Sequence, residues 1–182
     1  MTDLFAMIER AEVTEAQRNS LAATGTPATK ITLTLPYPIS ANRYWASRLV
    51  KPKAGPSFVS TYVTKEAQEY KAEVGWLAKA AGVRVPLAGR VAVAYTLYPK
   101  RPQDWKTRQR KLGDAWQDTV QCIDLDNAQK VLLDALKGVA FEDDVWVRRI
   151  TAERAEPDGE ARVVVTITPI LVAKPQFDLL EA

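Results

Sequence analysis

The segment Ile123-Asp-Leu-Asp-Asn-Ala-Gln-Lys130 sets two carboxylates two residues apart, an amide beside them and an ammonium four residues further on. An extended segment would point Asp124 and Asp126 to the same side. A helix from Asp126 would gather Asp126, Asn127, Lys130, Asp134 and Lys137 within about 100° of arc. Ala128, Val131, Leu132, Leu133, Ala135 and Leu136 then form the apolar side, and Gly138 closes the helix with a left-handed cap. A second acidic run, Glu142-Asp143-Asp144, follows the turn. Carboxylates brought together repel one another unless protons or a cation neutralise them. Oxygen ligands without imidazole suit Mg2+, with Mn2+ as a substitute. The plainer alternative is that Asp126 caps the helix, Lys130 pairs with it, and the doublet is an ordinary turn.

Composition narrows the chemistry. The 182 residues include no histidine and one cysteine, Cys122. Ser-His-Asp and Cys-His catalysis, His-ligated zinc and four-cysteine zinc are therefore excluded. A lone cysteine forms no internal disulfide, and a reducing cytoplasm is its simplest setting. No apolar run approaches the ~20 residues that span a bilayer. Net charge is +3, but it is unevenly spread: Lys100, Arg101, Lys106, Arg108, Arg110 and Lys111 cluster just upstream of the acids. Such a run fits a polyanion partner, or else a solvated loop.

The elements that must position these groups can be read from periodicity. Ile31–Leu35 alternates as a strand, stopped by Pro36 and Pro38. Asn42, Arg43, Tyr44 and Trp45 then offer an amide, a cation and two aromatic faces, suited to phosphate contact and base stacking, or to packing over a sheet edge. Residues 46–63 read as a mobile basic loop carrying Arg48, Lys51 and Lys53. Thr64 caps a helix that runs to about Ala81. Val91–Tyr98 is apolar enough for a central strand, and residues 99–122 form a long connection containing Trp105 and Trp116. Val145–Ala155 and Arg162–Thr168 read as strands, with a hairpin signal at Pro157-Asp-Gly159. Arg148, Arg149, Arg154 and Arg162 on them form either a basic face or ordinary exposed charges.

The expected fold is α+β: a mixed sheet of at least four strands with two main helices, in the order β-α-β-α-β-β. The acids are expected where the loop before the second helix meets the turn before the third strand. Residues 1–29 read as an appendage, residues 30–170 as the main domain and residues 171–182 as a flexible tail.

Two blocks carry a family resemblance. Asp-Leu-Asp-Asn-x-x-Lys, with Leu-Asp-Ala-Leu, a glycine and Glu-Asp-Asp after it, resembles the RusA family of Holliday-junction resolvases. Leu35-Pro-Tyr-Pro-Ile-Ser-Ala-Asn-Arg-Tyr-Trp45 is similar to that family's opening strand and turn, and Val63–Val74 to its first helix. The resemblance runs in order from about Ile31 to Ile170; the long 99–122 connection departs from it. It implies metal-dependent hydrolysis of DNA phosphodiesters at four-way junctions by paired symmetric nicks. Asp124, Asp126 and Asp144 would be Mg2+ ligands, with Asp143 as neighbour or substitute. Lys130 would stabilise phosphate charge and Asn127 would orient a ligand. Read from charge and not from the resemblance, Asn42, Arg43 and the cations Lys100, Arg101, Lys106, Arg108, Arg110 and Lys111 would contact DNA. The resemblance further implies a homodimer in a bacterial cytoplasm, or in a host cytoplasm if the gene is viral. Rival readings are a non-catalytic branched-DNA-binding protein and a nuclease acting on forks or flaps. The tail segment Gln176–Leu180 resembles peptides that bind sliding clamps.

Overall fold

The computed structural model describes residues 30–172. The expected appendage 1–29 and the clamp-like peptide Gln176–Leu180 lie outside the described residues. In chain order the elements are β1 (Ile31–Pro36), a single helical turn α1 (Ala41–Tyr44), β2 (Trp45–Val50), β3 (Phe58–Val63), α2 (Lys65–Ala80), β4 (Val91–Tyr98), α3 (Trp105–Leu112), α4 (Leu125–Leu136), β5 (Val147–Arg154) and β6 (Arg162–Pro169). A 3-10 segment, Gly113–Thr119, leads from α3 towards α4, and another, Asp144–Trp146, precedes β5.

The main sheet has the order β1-β6-β4-β5. β4 is central: it pairs antiparallel with β6 and parallel with β5, while β1 pairs antiparallel with β6. The sheet is thus mixed, and the β-α-β-α-β-β succession of main elements is present. Alternation decides which face is covered. Val91, Val93, Tyr95 and Leu97 of β4 and Val163, Val165 and Ile167 of β6 are buried, while the residues between them are half-exposed. Two amphipathic helices close that face. Thr64 caps α2 by accepting from the Ala67 N–H at 3.2 Å, and α2 buries Ala67, Tyr70, Val74 and Ala78. α4 buries Ala128, Val131, Leu132, Ala135 and Leu136. The chain leaves α4 through Gly138, whose φ of +71° costs a Cβ-bearing residue far more than glycine.

Two sequence-based expectations give way. Residues 46–63 are not a loop but an antiparallel hairpin, β2–β3, paired from Trp45↔Val63 to Val50↔Phe58. The two prolines and the glycine mark its tip rather than a structureless stretch. Pro157-Asp-Gly159 does not make a hairpin either, since β5 and β6 flank β4 on opposite sides. The connection passes the end of β4, where the Arg101 N–H donates to the Gly159 carbonyl at 2.8 Å. Turn chemistry signals a reversal but does not say which strands become neighbours.

Candidate active site

Asp124 and Asp126 both lie at the start of α4, not along a strand. Asp124 is the N-cap residue and Asp126 lies in the first turn. Their shared location follows from the helix start, where unpaired N–H groups and the helix dipole favour carboxylates. The Asp124 side chain does not cap the helix; its Oδ2 accepts from Asn127 Nδ2 at 3.3 Å. Both aspartates are exposed.

Two tyrosines hold this turn. The Ile123 N–H donates to the Tyr37 hydroxyl at 3.2 Å, and that hydroxyl lies 3.0 Å from Cys122 Sγ. Burial, and then the contact with Cys122, push the Tyr37 phenol well above its ordinary pKa. From below, the Tyr95 hydroxyl donates to the Leu125 carbonyl at 2.6 Å. Burial raises Tyr95 to about 12, with the charge of Asp126 adding to the effect, so it remains a neutral donor. Neither tyrosine stands out in the sequence as a support for the acids. The one trace is Tyr37, fixed between Pro36 and Pro38.

The tight turn around α1 supplies the opposite wall. An open cleft of about 580 Å³ is lined by Tyr37, Asn42, Arg43, Cys122, Asp124 and Asn127, among others. Arg43 also pairs with Glu66 at 2.6 Å. Lys130 does not pair with Asp126: its Nζ lies 5.5 Å from the centroid of the Trp45 ring. Tyr44 offers no face for base stacking. It is fully buried, and its hydroxyl donates to the Asp134 carboxylate, which Lys71 approaches at 3.6 Å. The packing alternative holds for Tyr44, while Trp45 is partly buried beneath Lys130.

The acidic doublet is elsewhere. Lys137, at the C-terminal end of α4, places Nζ 2.9 Å from Asp143 and 3.2 Å from Asp144. Hydrogen bonds from Lys137 and from the Val145 N–H hold the Asp143 carboxyl far below the usual carboxylate range, and its two neighbours raise Lys137 in return. Eleven residues of helix separate Asp126 from Lys137, roughly 16 Å along the axis at ~1.5 Å per residue. Among the described residues, no three acidic or cysteine side chains are grouped to hold a metal. The expected meeting of Asp124 and Asp126 with Asp144 and Asp143 is therefore not made within one chain. The reason is topological. β4 and β5 are parallel, so the helix between them must run back along the sheet, and its two ends face opposite sheet ends.

The basic run divides as well. Arg108 is tied to Asp104 at 3.0 Å and to the Thr119 carbonyl and hydroxyl at 3.2 and 3.0 Å. Arg101 donates to the Pro157 carbonyl at 2.8 Å and lies 4.8 Å over the Trp105 ring. Lys100 pairs with Glu160 at 3.2 Å. Lys106, Arg110 and Lys111 are exposed along α3, without an ion pair among the described residues. On the strands, Arg154 donates to the Gln117 and Val120 carbonyls, and Arg162 forks onto Asp158. Of the four strand arginines only Arg148 and Arg149 stay exposed and without such ties.

The donor set suits a hydrated divalent cation. Asp124 and Asp126 offer two hard carboxylates at an open helix start, and Mg2+ is commonly held by one or two carboxylates with water and substrate phosphate completing the shell. No helix among the described residues is long and apolar enough to cross a membrane. No curated protein matches the chain. Residues 21–168 match the family model described as endodeoxyribonuclease RusA, a span that begins before the first described strand. With that span covering most of the sequence, and with the Asp-Leu-Asp-Asn-x-x-Lys block at the start of a core helix facing the Pro-x-Pro turn, the chain belongs to the RusA endodeoxyribonuclease family.

Proposed function

We propose that the protein is a Mg2+-dependent endonuclease that resolves four-way DNA junctions by paired nicks, working as a homodimer. The observation that carries this reading is the cleft in which Asp124, Asn127, Asn42 and Arg43 converge although the two blocks lie over eighty residues apart in sequence. Asp124 and Asp126 would hold the ion. When bound, such an ion polarises a phosphate and lowers the pKa of coordinated water.

The chain's own groups divide the remaining work. Arg43 and Asn42 present donors to phosphate oxygens on one wall of the cleft. Asn127 holds Asp124 in place from the helix side. Lys130, four residues after Asp126 and held over the Trp45 face, sets a positive charge beside the phosphate that gains charge in the transition state. Tyr37 and Tyr95 fix the turn that carries the carboxylates, keeping the donors in place before the substrate arrives.

A homodimer accounts for the separated acids. In an isologous pair, whatever one subunit offers at one patch its partner offers at the same patch. The start of α4 in one subunit can then face the partner subunit's Asp144, and the reciprocal contact builds a second, symmetric site. Two such sites suit two nicks placed symmetrically across a junction. Asp143 and Asp144, tied to Lys137, and the lack of a three-carboxylate group among the described residues also fit a second reading, a protein that binds branched DNA without cutting it.

A labelled four-way junction, a fork and a duplex, each incubated with the protein in Mg2+ or EDTA, separate these readings. Paired nicks in the junction that require Mg2+ are expected. Asp126→Asn should remove cleavage and leave junction binding largely intact. Full cleavage by that variant, or binding without nicking by the unaltered protein, would end the proposal.

A further inference from the structure

The β2–β3 hairpin departs from the rule that exposed apolar side chains are scattered singly. Leu49, Phe58, Val59 and Tyr62 are 59%, 54%, 67% and 45% exposed, all on one two-stranded ribbon. Such a concentration marks a surface that something covers. The register sorts it into two faces, because directly opposed residues share a side. Trp45/Val63 and Leu49/Val59 lie on one face, whose inner pair packs against the core. Ala46/Tyr62, Arg48/Ser60 and Val50/Phe58 lie on the other. On that second face a guanidinium sits between two exposed aromatic rings, and Arg48 Cζ is 5.5 Å from the Tyr62 centroid. The tip adds Lys51 and Lys53. From Trp45 to Val63 the sequence contains no acidic residue.

Charge and chemistry together select the occupant. A protein partner would have to place acidic groups opposite Arg48, Lys51 and Lys53, whereas a nucleic-acid strand brings a phosphate at every nucleotide. Aromatic rings interleaved with cations match a nucleic-acid strand whose phosphates meet the cations and whose bases stack on the rings. Stacking requires an accessible base face. Inside a duplex those faces are taken by neighbouring base pairs, so the ribbon fits bases that are unpaired or unstacked, as at a branch point. Its placement agrees. Trp45, at the foot of the ribbon, lies under Lys130 of the active-site helix. Six residues per strand at ~3.3 Å each carry Phe58 roughly 17 Å from that foot, about five base-pair steps of 3.4 Å. Pro52 and Pro56 flank a Gly55 with φ +102° at the tip, so the turn has a fixed shape.

We infer that the Tyr62–Arg48–Phe58 face of the β2–β3 hairpin is a stacking surface that captures unpaired bases of the DNA substrate beside the active site. The inference rests on the nuclease reading for its substrate, but its test does not depend on cleavage. Affinity is measured in EDTA by fluorescence anisotropy, with three dye-labelled probes of equal length: a four-way junction, a single strand and a fully paired duplex. The double variant Phe58→Ala/Tyr62→Ala changes only exposed side chains. It should weaken binding to the junction and the single strand by at least about tenfold, since each missing stack is worth a factor of roughly that size. Duplex binding should change less than about twofold, and the salt dependence should not move, because no charge has been removed. Phe58→Tyr/Tyr62→Phe, which keeps both rings, should bind like the unaltered protein. Equal losses on all three probes, or no loss on any, would overturn the inference. So would a change in the oligomeric state of the double variant by light scattering, which would show a second copy as the occupant. Failure of the unaltered protein to nick the junction in Mg2+, with this binding pattern intact, would count against the nuclease reading alone.

Discussion

If each active site takes Asp124 and Asp126 from one subunit and Asp144 from the other, two inactive variants can repair one another. Ligands of one Mg2+ lie ~2.0–2.1 Å from it, so two coordinating oxygens are at most about 4 Å apart. The groups in one chain are attached at opposite ends of α4, roughly 16 Å apart, and Asp144 is held at the far end by Lys137. No aspartate side chain is long enough to close that difference. Asp126→Asn and Asp144→Asn should therefore each abolish nicking as pure homodimers. Co-expressed with different affinity tags and purified through both, the heterodimer carries one site with both changes and one site with neither. It should show about half the sites of the unaltered dimer. Because the intact site acts alone, the product should be a singly nicked junction, visible as one cut strand on a denaturing gel. A site built within a single chain would leave both sites of the heterodimer damaged. Activity no higher than that of either parent would refute the shared-site reasoning.

Three further outcomes follow from the geometry. Arg110→Ala/Lys111→Ala on α3 should weaken junction binding and lower the slope of log affinity against log salt by about 0.9 for each duplex-arm phosphate that is no longer neutralised; titrations at several salt concentrations would show it. Lys137→Met should raise the titration midpoint of Asp143 towards the ordinary carboxylate value near 3.9, since the hydrogen bond from Lys137 is the main cause of its depression, and carbon-detected NMR of the carboxyl group reads this directly. Tyr95→Phe keeps the buried ring but loses the bond to the Leu125 carbonyl. It should cost about 1 kcal/mol, a fall of a few degrees in Tm by calorimetry. The sign of the alkaline effect is set by the same group. Tyr95 is raised to about 12 when folded and returns to about 10 when unfolded, so the stability it contributes is complete below pH 10 and lost as pH climbs towards 12. The phenylalanine variant should lack that share of the loss.

Much of the fold and part of the site could be read from the sequence, because both rest on local pattern. The apolar stripe of α4 follows from a 3.6-residue period, and β1 and β6 follow from alternation. Thr64 and Gly138 mark a helix start and a helix end by their own backbone preferences. That Asp124 and Asp126 both lie at the start of α4 is local too: any helix beginning at that point brings both to its first turn. The family resemblance is carried by residues in two blocks, and some of them, Asn42 and Arg43 from one and Asp124 and Asn127 from the other, line one cleft.

What could not be read depends on neighbours remote in sequence. A one-dimensional pattern cannot show that β5 joins the sheet parallel to β4, and this is what sends Asp143 and Asp144 to the far end of α4. Nor does it show that Tyr44 turns inward to Asp134 while Lys130 rests on Trp45, or that Arg101, Arg108, Arg154 and Arg162 are occupied in holding loops. A basic residue has the same composition signal whether it faces solvent or a buried carbonyl, and only the packing around it decides. The hairpin between β2 and β3 is the same lesson in reverse: prolines and a glycine concentrated at its tip resemble a loop until cross-strand pairing is seen. Residue types and short spacings determined which chemistry is available to this protein. The tertiary structure decided which groups can act together, because hydrogen-bonded sheet order and helix direction set distances that no local spacing contains.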